Sequence, residues 1–337
     1  MDIIHFLNVL EGDCNIIQHN SGRSTVIDVS NAYNKEDTPE EKAVKASKER
    51  EERRTRTSVP SGKTNYYQKL SPDNPIDYIK GLGIEQIWRF IVTHPDMDHL
   101  DGIRDLYQEF TIPNTWDTDN DKYCDENGFG GGYNKEDWKF YQELRQGRYS
   151  ATRRLSLLAN HQANFWNEDN IKILCPTAAL VREANDKKDY NESSYVLLFT
   201  PPKAGGGHWK ILFAGDTHDA AWDYILANYQ AEISNVDVLF APHHGRDSGR
   251  NYDFLKTLKP RLTLLGNASS KHLAYTSYPK VRITNNQAGF VVLKVNDSGI
   301  EVYVKNHDFA RDFRHKRGWG TPVFYKNLNA WHLITFR

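Results

Sequence analysis

The sequence has few cysteines, no long apolar run and almost no net charge. Its 337 residues include three cysteines, Cys14, Cys124 and Cys175. Three thiols do not make a paired disulfide framework, so we expect a reducing, cytoplasmic environment. No stretch reaches the ~20 apolar residues of a membrane span and no apolar signal core opens the chain, so we expect no membrane association. The formal net charge of −1 provides no overall field for a polyanion, and nucleic-acid binding would need local patches.

The length allows one large α/β domain or two smaller ones. Neither a clean linker nor an internal repeat divides the chain, so we predict a single domain over residues 1–337. Three segments are predicted to be additions to that domain. They are a charged insertion at 31–75, a largely helical insertion at 103–170, and a basic and aromatic C-terminal extension at 305–337.

The densest group of chemically active side chains lies in the sequence THPDMDHLDG, which begins at Thr93. It follows an apolar run whose β-branched and aromatic residues indicate a buried strand. Crowded carboxylates repel one another, and a divalent cation removes that repulsion. His94 and Asp96 are two positions apart and can leave the loop on one side, whereas the adjacent Asp98 and His99 point apart. One loop can therefore serve two metal positions; the alternative is a polar loop that happens to be rich in Asp and His.

Two further apolar runs end in groups of the same kind. The run at 211–214 ends in Gly215-Asp216, where Asp216 either bridges two metals or caps the helix predicted over 220–228. The run at 236–241 ends in Pro-His-His-Gly, with His243 and His244 adjacent. Paired histidines beside a glycine after a strand are typical of ligands or catalytic groups.

Together these motifs resemble the metallo-β-lactamase fold, whose signature is H-x-H-x-D-H followed by a later Asp and a later His. The sequences HPDMDH at His94, GD at Gly215 and PHHGRDS at Pro242 look most like the soluble domain of the competence protein ComEC and its free-standing relatives. An early Gly12-Asp13 turn and a strand ending at Asp28 are similar to that branch as well. The resemblance covers about 1–30 and 76–305, and it implies an α/β fold, a four-layer αββα sandwich with insertions.

The sequence departs from the family pattern at several positions of the predicted site. Asp96 stands where most metallo-β-lactamases have histidine, a substitution that the ComEC branch shares. Tyr278-Pro279 stands where relatives carry His-Pro, so the last histidine is either absent or replaced by His272 or by the Tyr278 hydroxyl. No obvious histidine marks the third motif, where Asn191 or Ser193 would leave one metal more open to water.

The resemblance implies two divalent metal ions, with Asp216 shared between them. Sequence does not distinguish the two adjacent histidines; we favour His243, which is nearer the strand end, as the ligand, with His244 turned toward substrate. A ligand set rich in oxygen and without thiolate favours Zn²⁺ or Mn²⁺. The predicted metal ligands are His94, Asp96, Asp98, His99, Asp216 and His243.

A hydroxide held between two metals would hydrolyse a phosphodiester, with Asp98 orienting the attacking water. The predicted catalytic residues are Asp98, His244 and Tyr278. The predicted phosphate contacts are Arg153, Arg154, Ser248 and Lys280.

Four arginines beside Tyr149 form a basic and aromatic patch that either holds phosphates or is a solvated helix face, since helices are predicted over 135–147 and 150–164. The mixed-charge run at 35–57 is either a solvated segment or a lid over the metals. The glycines at 205–207 lie between two predicted strands and indicate a β-hairpin. The basic segment 305–317 is either a nucleic-acid or partner surface or a cap on the fold, followed by one or two further strands.

The leading hypothesis is a metal-dependent nuclease or phosphodiesterase acting on DNA or RNA. One alternative is hydrolysis of a small molecule such as a cyclic nucleotide, a lactone or a thioester. Another is an effector of a multi-protein defence system that a protein partner activates.

Overall fold

The computed structural model describes residues 1–30, 65–124, 133–159, 161, 168–267 and 272–337. The mixed-charge run at 35–57, the proposed lid, lies outside the described residues, as does most of the insertion predicted at 31–75. In the described ranges, no helix combines the length and the apolar character that crossing a bilayer requires.

Two β-sheets form the centre of the structure. Within the described residues, the first has ten strands in the order β15-β16-β14-β13-β1-β2-β3-β4-β5-β6, and the second has six in the order β12-β11-β10-β9-β8-β7. The strands of the first sheet are β1 (Asp2–Phe6), β2 (Asn15–Gln18), β3 (Ser24–Ile27), β4 (Arg89–Ile91), β5 (Asn114–Trp116), β6 (Arg153–Leu155), β13 (Val291–Asn296), β14 (Gly299–Val304), β15 (Phe324–Tyr325) and β16 (Ala330–Phe336). Those of the second are β7 (Ile171–Cys175), β8 (Val196–Phe199), β9 (Ile211–Phe213), β10 (Val238–Phe240), β11 (Leu262–Leu265) and β12 (Arg282–Thr284).

Helices cover the outer face of each sheet. The first sheet carries α1 (Pro75–Gly81), α2 (Ile103–Glu109) and α3 (Lys135–Arg145). The second carries α4 (Ala178–Lys187), α5 (Asp219–Ile233) and α6 (Phe254–Leu258). The chain continues through α7 (Asn285–Ala288) and, at the C-terminal side, α8 (His307–His315).

In the part of the chain that the structure describes, three apolar cores separate these layers. Side chains that alternate along the strands fill the cores. In β4, Ile91 joins the core between the sheets, whereas Phe90 joins the core under the helices of the first sheet. In β9, Phe213 faces the inner core and Leu212 the outer core of the second sheet. Successive strand residues point to opposite faces, so strands that are covered on both faces are apolar throughout. The structure is therefore a four-layer αββα sandwich, which confirms the predicted fold class.

Strand direction places the functional loops. Strands β3 to β6 run parallel to one another, as do β9 to β12. The carboxyl ends of parallel strands lie at one edge of their sheet, and the loops that follow them meet there. The THPDMDHLDG segment follows β4, the Gly-Asp turn follows β9 and the paired histidines follow β10.

Several local predictions are confirmed. Helices α1, α2, α3 and α5 occur where the sequence predicts them. Strands β8 and β9 pair antiparallel, and Pro202 forms a bridge with His208, as expected of a hairpin around the three glycines. Two strands, β15 and β16, follow the basic segment near the C-terminus.

The prediction of a helix over 150–164 is wrong for the first residues of that range. Residues Arg153–Leu155 form strand β6, which pairs with β5 at the edge of the first sheet. Leu155 packs against the inner core, so tertiary packing overrides the local helical preference. The segment 103–170 thus contributes two strands to the first sheet as well as two helices.

Candidate metal centre

Three buried imidazoles converge where the loops after β4 and β10 meet. The ring centroids of His94 and His99 are 4.1 Å apart, and those of His99 and His244 are 5.1 Å apart. All three side chains are at most 2% exposed. The tight turns of both loops thus bring together histidines that are far apart in sequence.

Asp28 fixes the orientation of the first loop. Its carboxylate accepts hydrogen bonds from the backbone N–H and the hydroxyl of Thr93, each at 2.7 Å, and lies 2.8 Å from Nδ1 of His99. The backbone of Asp28 has a φ of 59°, in the left-handed region that Asp tolerates better than most residues. Since Nδ1 of His99 faces this carboxylate, its Nε2 faces the centre, as is usual for a metal-binding histidine.

Asp13 plays the corresponding part for His244, whose Nδ1 lies 3.1 Å from the Asp13 carboxylate. The preceding residue, Gly12, has a φ of +76°, and a Cβ there would lie 1.6 Å from the carbonyl oxygen of Asp98. Only glycine permits this approach, so the early Gly-Asp turn both supports the loop after β4 and supplies the carboxylate that orients His244.

Asp216 lies at the middle of the cluster. One carboxylate oxygen is 3.4 Å from Nε2 of His99, and the other is 3.4 Å from Nε2 of His244 and 3.9 Å from Nε2 of His94. Asp98 adds a second carboxylate, 3.5 Å from Nε2 of His244 and 3.9 Å from that of His99. Among the described residues, three groups of possible ligands have their donor atoms within 4.8 Å of one another: His94 with His99 and Asp216, Asp98 with His99 and His244, and Asp13 with Asp216 and His244.

Six side-chain atoms of these groups are buried without a hydrogen-bond partner among the described residues. Four of them face one another at the centre: Nε2 of His94, His99 and His244, and Oδ1 of Asp216; the other two are Nδ1 of His244 and Oδ1 of Asp13. Buried polar atoms are normally satisfied, because an unpaired one costs about 1–3 kcal/mol. Imidazole nitrogens and carboxylate oxygens that face each other in this way fit a divalent metal ion, and a set without thiolate suits Zn²⁺ or Mn²⁺.

Mutual charge stabilises the cluster without an ion. Burial alone would lower the pKa of His99 and of His244, but the carboxylate of Asp216 and its neighbours outweighs burial and holds both values well above the ordinary one. Burial would raise the pKa of Asp216, and the charges of His244 and His99 instead hold it far below its usual range. The carboxylates of the site thus attract positive charge, which the protonated rings of His99 and His244 can supply and a bound cation could replace.

The geometry favours His244 over His243 as a metal ligand, the reverse of the sequence preference. His243 is 17% exposed, and its Nδ1 lies 2.9 Å from the hydroxyl of Ser248 and 3.4 Å from Nε2 of His218. Its Nε2 is 3.6 Å from Asp216, and it joins none of the three groups. Burial lowers the pKa of His243 to about 4, so its ring is neutral and lies at the rim. Two consecutive left-handed residues, with φ of 52° and 56°, direct the rings to different sides.

Asp96 also lies at the rim. Its Oδ2 is 3.7 Å from Nε2 of His94, but its Oδ1 accepts a hydrogen bond from the ammonium of Lys122. That ammonium lies 5.4 Å from the centre of the Tyr190 ring. Sequence reasoning missed Lys122, because it follows an acidic run at 117–121 that is distant in sequence from the other motifs.

The remaining predicted site residues lie apart from the three groups. Arg153 and Arg154 are consecutive residues of β6 and so face opposite sides; Arg154 lies 3.1 Å from the buried Asp117, whereas Arg153 is exposed beside a cavity of about 220 Å³. The patch predicted around them is therefore not one surface. Lys280 is exposed, and the Tyr278 hydroxyl is buried in the outer core of the second sheet with no described partner.

No protein-family model and no curated protein sequence matches this chain. Solved structures similar to it include a diphosphatase from the PhnP family, at 8% identity over 84% of this chain and 94% of that one, with a TM-score of 0.36. The metallo-β-lactamase fold protein YhfI from Bacillus subtilis is 8% identical over 84% and 96%, with a TM-score of 0.39. Igni18, a metallo hydrolase from the archaeon Ignicoccus hospitalis, is 11% identical over 99% of both chains, with a TM-score of 0.39. Similarity at this level carries no argument about activity.

Proposed function

We propose that this protein is a metal-dependent hydrolase that cleaves phosphodiester bonds in DNA or RNA. The observation that carries the proposal is the set of four buried donor atoms, on His94, His99, His244 and Asp216, that face one another without partners. Such a set is costly unless a cation binds it. The set lies at the carboxyl ends of parallel strands, where α/β proteins commonly bind ligands.

The groups described above can hold two divalent ions. One would use His94 and Asp216, with Asp96 at the rim, and the other Asp98, His99, His244 and Asp216. When bound, a divalent ion lowers the pKa of its water to about 7 and stabilises the charge of a transferring phosphoryl group. One oxygen of Asp216 lies near Nε2 of both His94 and His244, which are proposed for different ions, and this suits a ligand shared by both.

Asp98 is the best candidate for orienting an attacking water. Its side chain is 24% exposed, whereas that of Asp216 is 3% exposed, so Asp98 is the more accessible of the two inner carboxylates. One oxygen of Asp98 lies 3.5 Å from Nε2 of His244, which limits its rotation. A general base must combine access to water with a fixed direction, and Asp98 has both.

A positively charged side chain at the rim of the cluster favours an anionic substrate. The ammonium of Lys122 is directed at Asp96 and is 20% exposed, so it lies between the centre and solvent. A lysine ammonium carries three donors, of which Asp96 engages one, and the others can contact phosphate oxygens. A neutral ester or lactone would not need this charge.

A small phosphodiester such as a cyclic nucleotide is the second candidate. The engagement of Arg154 with Asp117 supports it, because that contact removes one of the two arginines expected to bind a polyanion. Without a continuous basic surface, binding would depend on groups close to the metals.

A hydrolysis screen tests the proposal. Metal-stripped protein, resupplied with Zn²⁺ or Mn²⁺, would be assayed on DNA, RNA, a cyclic nucleotide and a chromogenic phosphodiester. We expect Asp216→Asn and Asp98→Asn to reduce turnover by about a hundredfold or more, because they weaken metal binding or water orientation. Asp253→Asn is the control, since Asp253 is exposed and its ion pair is with Lys256, outside the cluster. Equal activity in stripped and loaded protein would exclude a metal-dependent mechanism.

A further inference from the structure

Arg250 is a buried cation beside the metal centre, and its donors are only partly used. The residue is 6% exposed. One terminal nitrogen donates a hydrogen bond to the carbonyl oxygen of Thr217 at 2.6 Å, and Thr217 directly follows Asp216. The Nε and the other terminal nitrogen are buried and have no hydrogen-bond partner within the described ranges. The guanidinium thus retains unused donors a short way from a predicted metal ligand.

A buried guanidinium whose donors are partly unused requires an anion. Arginine is almost never fully buried unless it is paired, because transferring an unpaired charge out of water is strongly unfavourable. None of the described carboxylates lies within ion-pair distance of Arg250, although Asp247 is close in sequence. The planar guanidinium presents N–H groups as a fork that matches two oxygens of a phosphate or carboxylate. An oxyanion would therefore satisfy both its charge and its geometry.

The hydroxyl of Tyr278 is a second unused donor in the same region. Tyr278 is 2% exposed, its hydroxyl has no hydrogen-bond partner in the described part of the chain, and its ring lies edge-on to Tyr252 at 5.8 Å. Tyr252 is two residues after Arg250, so this ring contact places Tyr278 near the same segment. Burial raises the pKa of the Tyr278 hydroxyl, and the charge of Arg250 opposes that rise. A protonated phenol donates to an anion, so both groups suit the same ligand.

The position of Arg250 relates this region to the metal centre. Arg250 contacts the carbonyl oxygen of Thr217, and Nε2 of the next residue, His218, lies 3.4 Å from Nδ1 of His243, so the guanidinium lies on the His243 side. Lys122 contacts Asp96 at the rim of the cluster. A substrate with several phosphates could contact both cations.

We propose that Arg250 and the Tyr278 hydroxyl form a phosphate-binding subsite next to the metal centre. Its role rests on the proposed function: it holds a phosphate that neighbours the one being cleaved. Binding itself requires no metal, because the guanidinium and the phenol supply the contacts. The subsite favours a substrate with at least two phosphates, such as an oligonucleotide, over a cyclic mononucleotide.

Calorimetric titration of the chelator-treated protein tests the subsite. Inorganic phosphate would be titrated first, with sodium chloride at equal ionic strength as the blank, followed by a nucleoside monophosphate and a short oligonucleotide. We expect Arg250→Met to weaken phosphate binding about tenfold or more, as loss of a charged hydrogen bond predicts, and Tyr278→Phe to weaken it less. Arg250→Lys keeps the charge but loses the forked arrangement of N–H donors, so its phosphate affinity should lie between those of Arg250→Met and Tyr278→Phe. The control is Arg311→Met, because Arg311 is half exposed and already pairs with Asp308 and Asp312.

Thermal unfolding with and without phosphate provides the second measurement. Phosphate should raise the Tm of the wild type and of Arg311→Met but leave that of Arg250→Met unchanged. Equal phosphate affinity in wild type and Arg250→Met would overturn the subsite, and so would the absence of any phosphate binding by the wild type. Neither result depends on hydrolysis. Phosphate binding by a protein that cleaves nothing would refute only the proposed function, and cleavage that is indifferent to Arg250 would refute only the subsite.

Tighter binding of the oligonucleotide than of the monophosphate would identify a nucleic-acid phosphate as the ligand. Equal binding of inorganic phosphate and both nucleotides would identify a subsite for any phosphate group. If Arg250→Met does not fold, Arg250→Lys and Tyr278→Phe decide the question, since both preserve most of the side-chain volume.

Discussion

Nδ1 of His99 lies 2.8 Å from the carboxylate of Asp28, a residue 71 positions earlier in the chain. The same carboxylate accepts two hydrogen bonds from Thr93, so one side chain fixes both the start of the loop after β4 and the orientation of a ring within it. A carboxylate behind a metal-binding histidine fixes its tautomer and makes the ring a better ligand. Asp28 therefore influences the metal centre through its contacts with Thr93 and His99, although its own carboxylate does not point into the centre.

We expect Asp28→Asn to weaken metal binding about 10- to 100-fold, as substitution of such supporting groups typically does. The amide can still accept from Thr93, but it lacks the charge that stabilises the ring as a ligand. Competition with a chromophoric chelator measures the affinity, and circular dichroism checks folding. Asp253→Asn is the matched control, and an unchanged affinity in Asp28→Asn would show that the contact does not support metal binding.

Gly12→Ala should destabilise the protein far more than Gly22→Ala. Both glycines have a φ in the left-handed region, +76° and +85°, so both substitutions introduce comparable backbone strain of about 1–2 kcal/mol. Only at Gly12 would the new Cβ meet the carbonyl of Asp98, at 1.6 Å, whereas at Gly22 nothing lies within 4 Å. Urea denaturation compares the two free energies of unfolding. Equal losses would mean that the early turn does not need to approach the metal-binding loop.

Lys122→Met should raise the KM for a phosphodiester about tenfold, the effect of losing one charged hydrogen bond, while changing kcat less. Lys122→Arg should restore most of the affinity because it keeps the charge. Lys187→Met serves as the control, since Lys187 is 62% exposed and pairs with Glu183 on the same helix. Steady-state kinetics on the metal-loaded protein measures both constants. If metal affinity falls and KM is unchanged, Lys122 only positions Asp96.

The free energy of unfolding should fall between about pH 6.5 and pH 4 because of His5. Its Nε2 donates to the Gln18 side-chain oxygen at 3.0 Å and its Nδ1 accepts from the Tyr78 hydroxyl at 3.0 Å, so the buried ring is neutral. Burial lowers the pKa of His5 to about 4. The unfolded chain, with a pKa of about 6.5, binds more protons in this range, and the contribution present above pH 6.5 is lost on acidification.

The magnitude expected from His5 is about 3 kcal/mol over that interval. Urea denaturation at several pH values measures it, and His5→Gln removes the titrating group for comparison. Burial also lowers the pKa of His19 to about 4, and His19 continues to titrate in that variant. The contribution of His5 is therefore the difference between the pH profiles of the two proteins. Parallel pH profiles for wild type and His5→Gln would contradict the assignment.

Most of the strands and helices around the site could be predicted from the sequence. Their signals are local: β-branched and aromatic runs mark β4, β9 and β10, and a change of period marks the helices. Each run ends in residues whose chemistry is visible in the sequence, so His94, His99 and Asp216 could be assigned together. Strand β6 could not be predicted, because Arg153–Leu155 forms a strand only through pairing with β5.

The sequence by itself determined that ligand-type side chains follow three buried strands, and hence that a metal centre was the best interpretation. Only the tertiary structure decided that His244 faces the centre while His243 faces Ser248, because that choice depends on two consecutive left-handed residues. It also decided that Asp13 and Asp28 support the histidines and that Lys122 and Arg250 lie beside them. Such contacts join residues that are distant in the chain, and a distance in space is set by the packing of the whole sandwich, which no local pattern encodes.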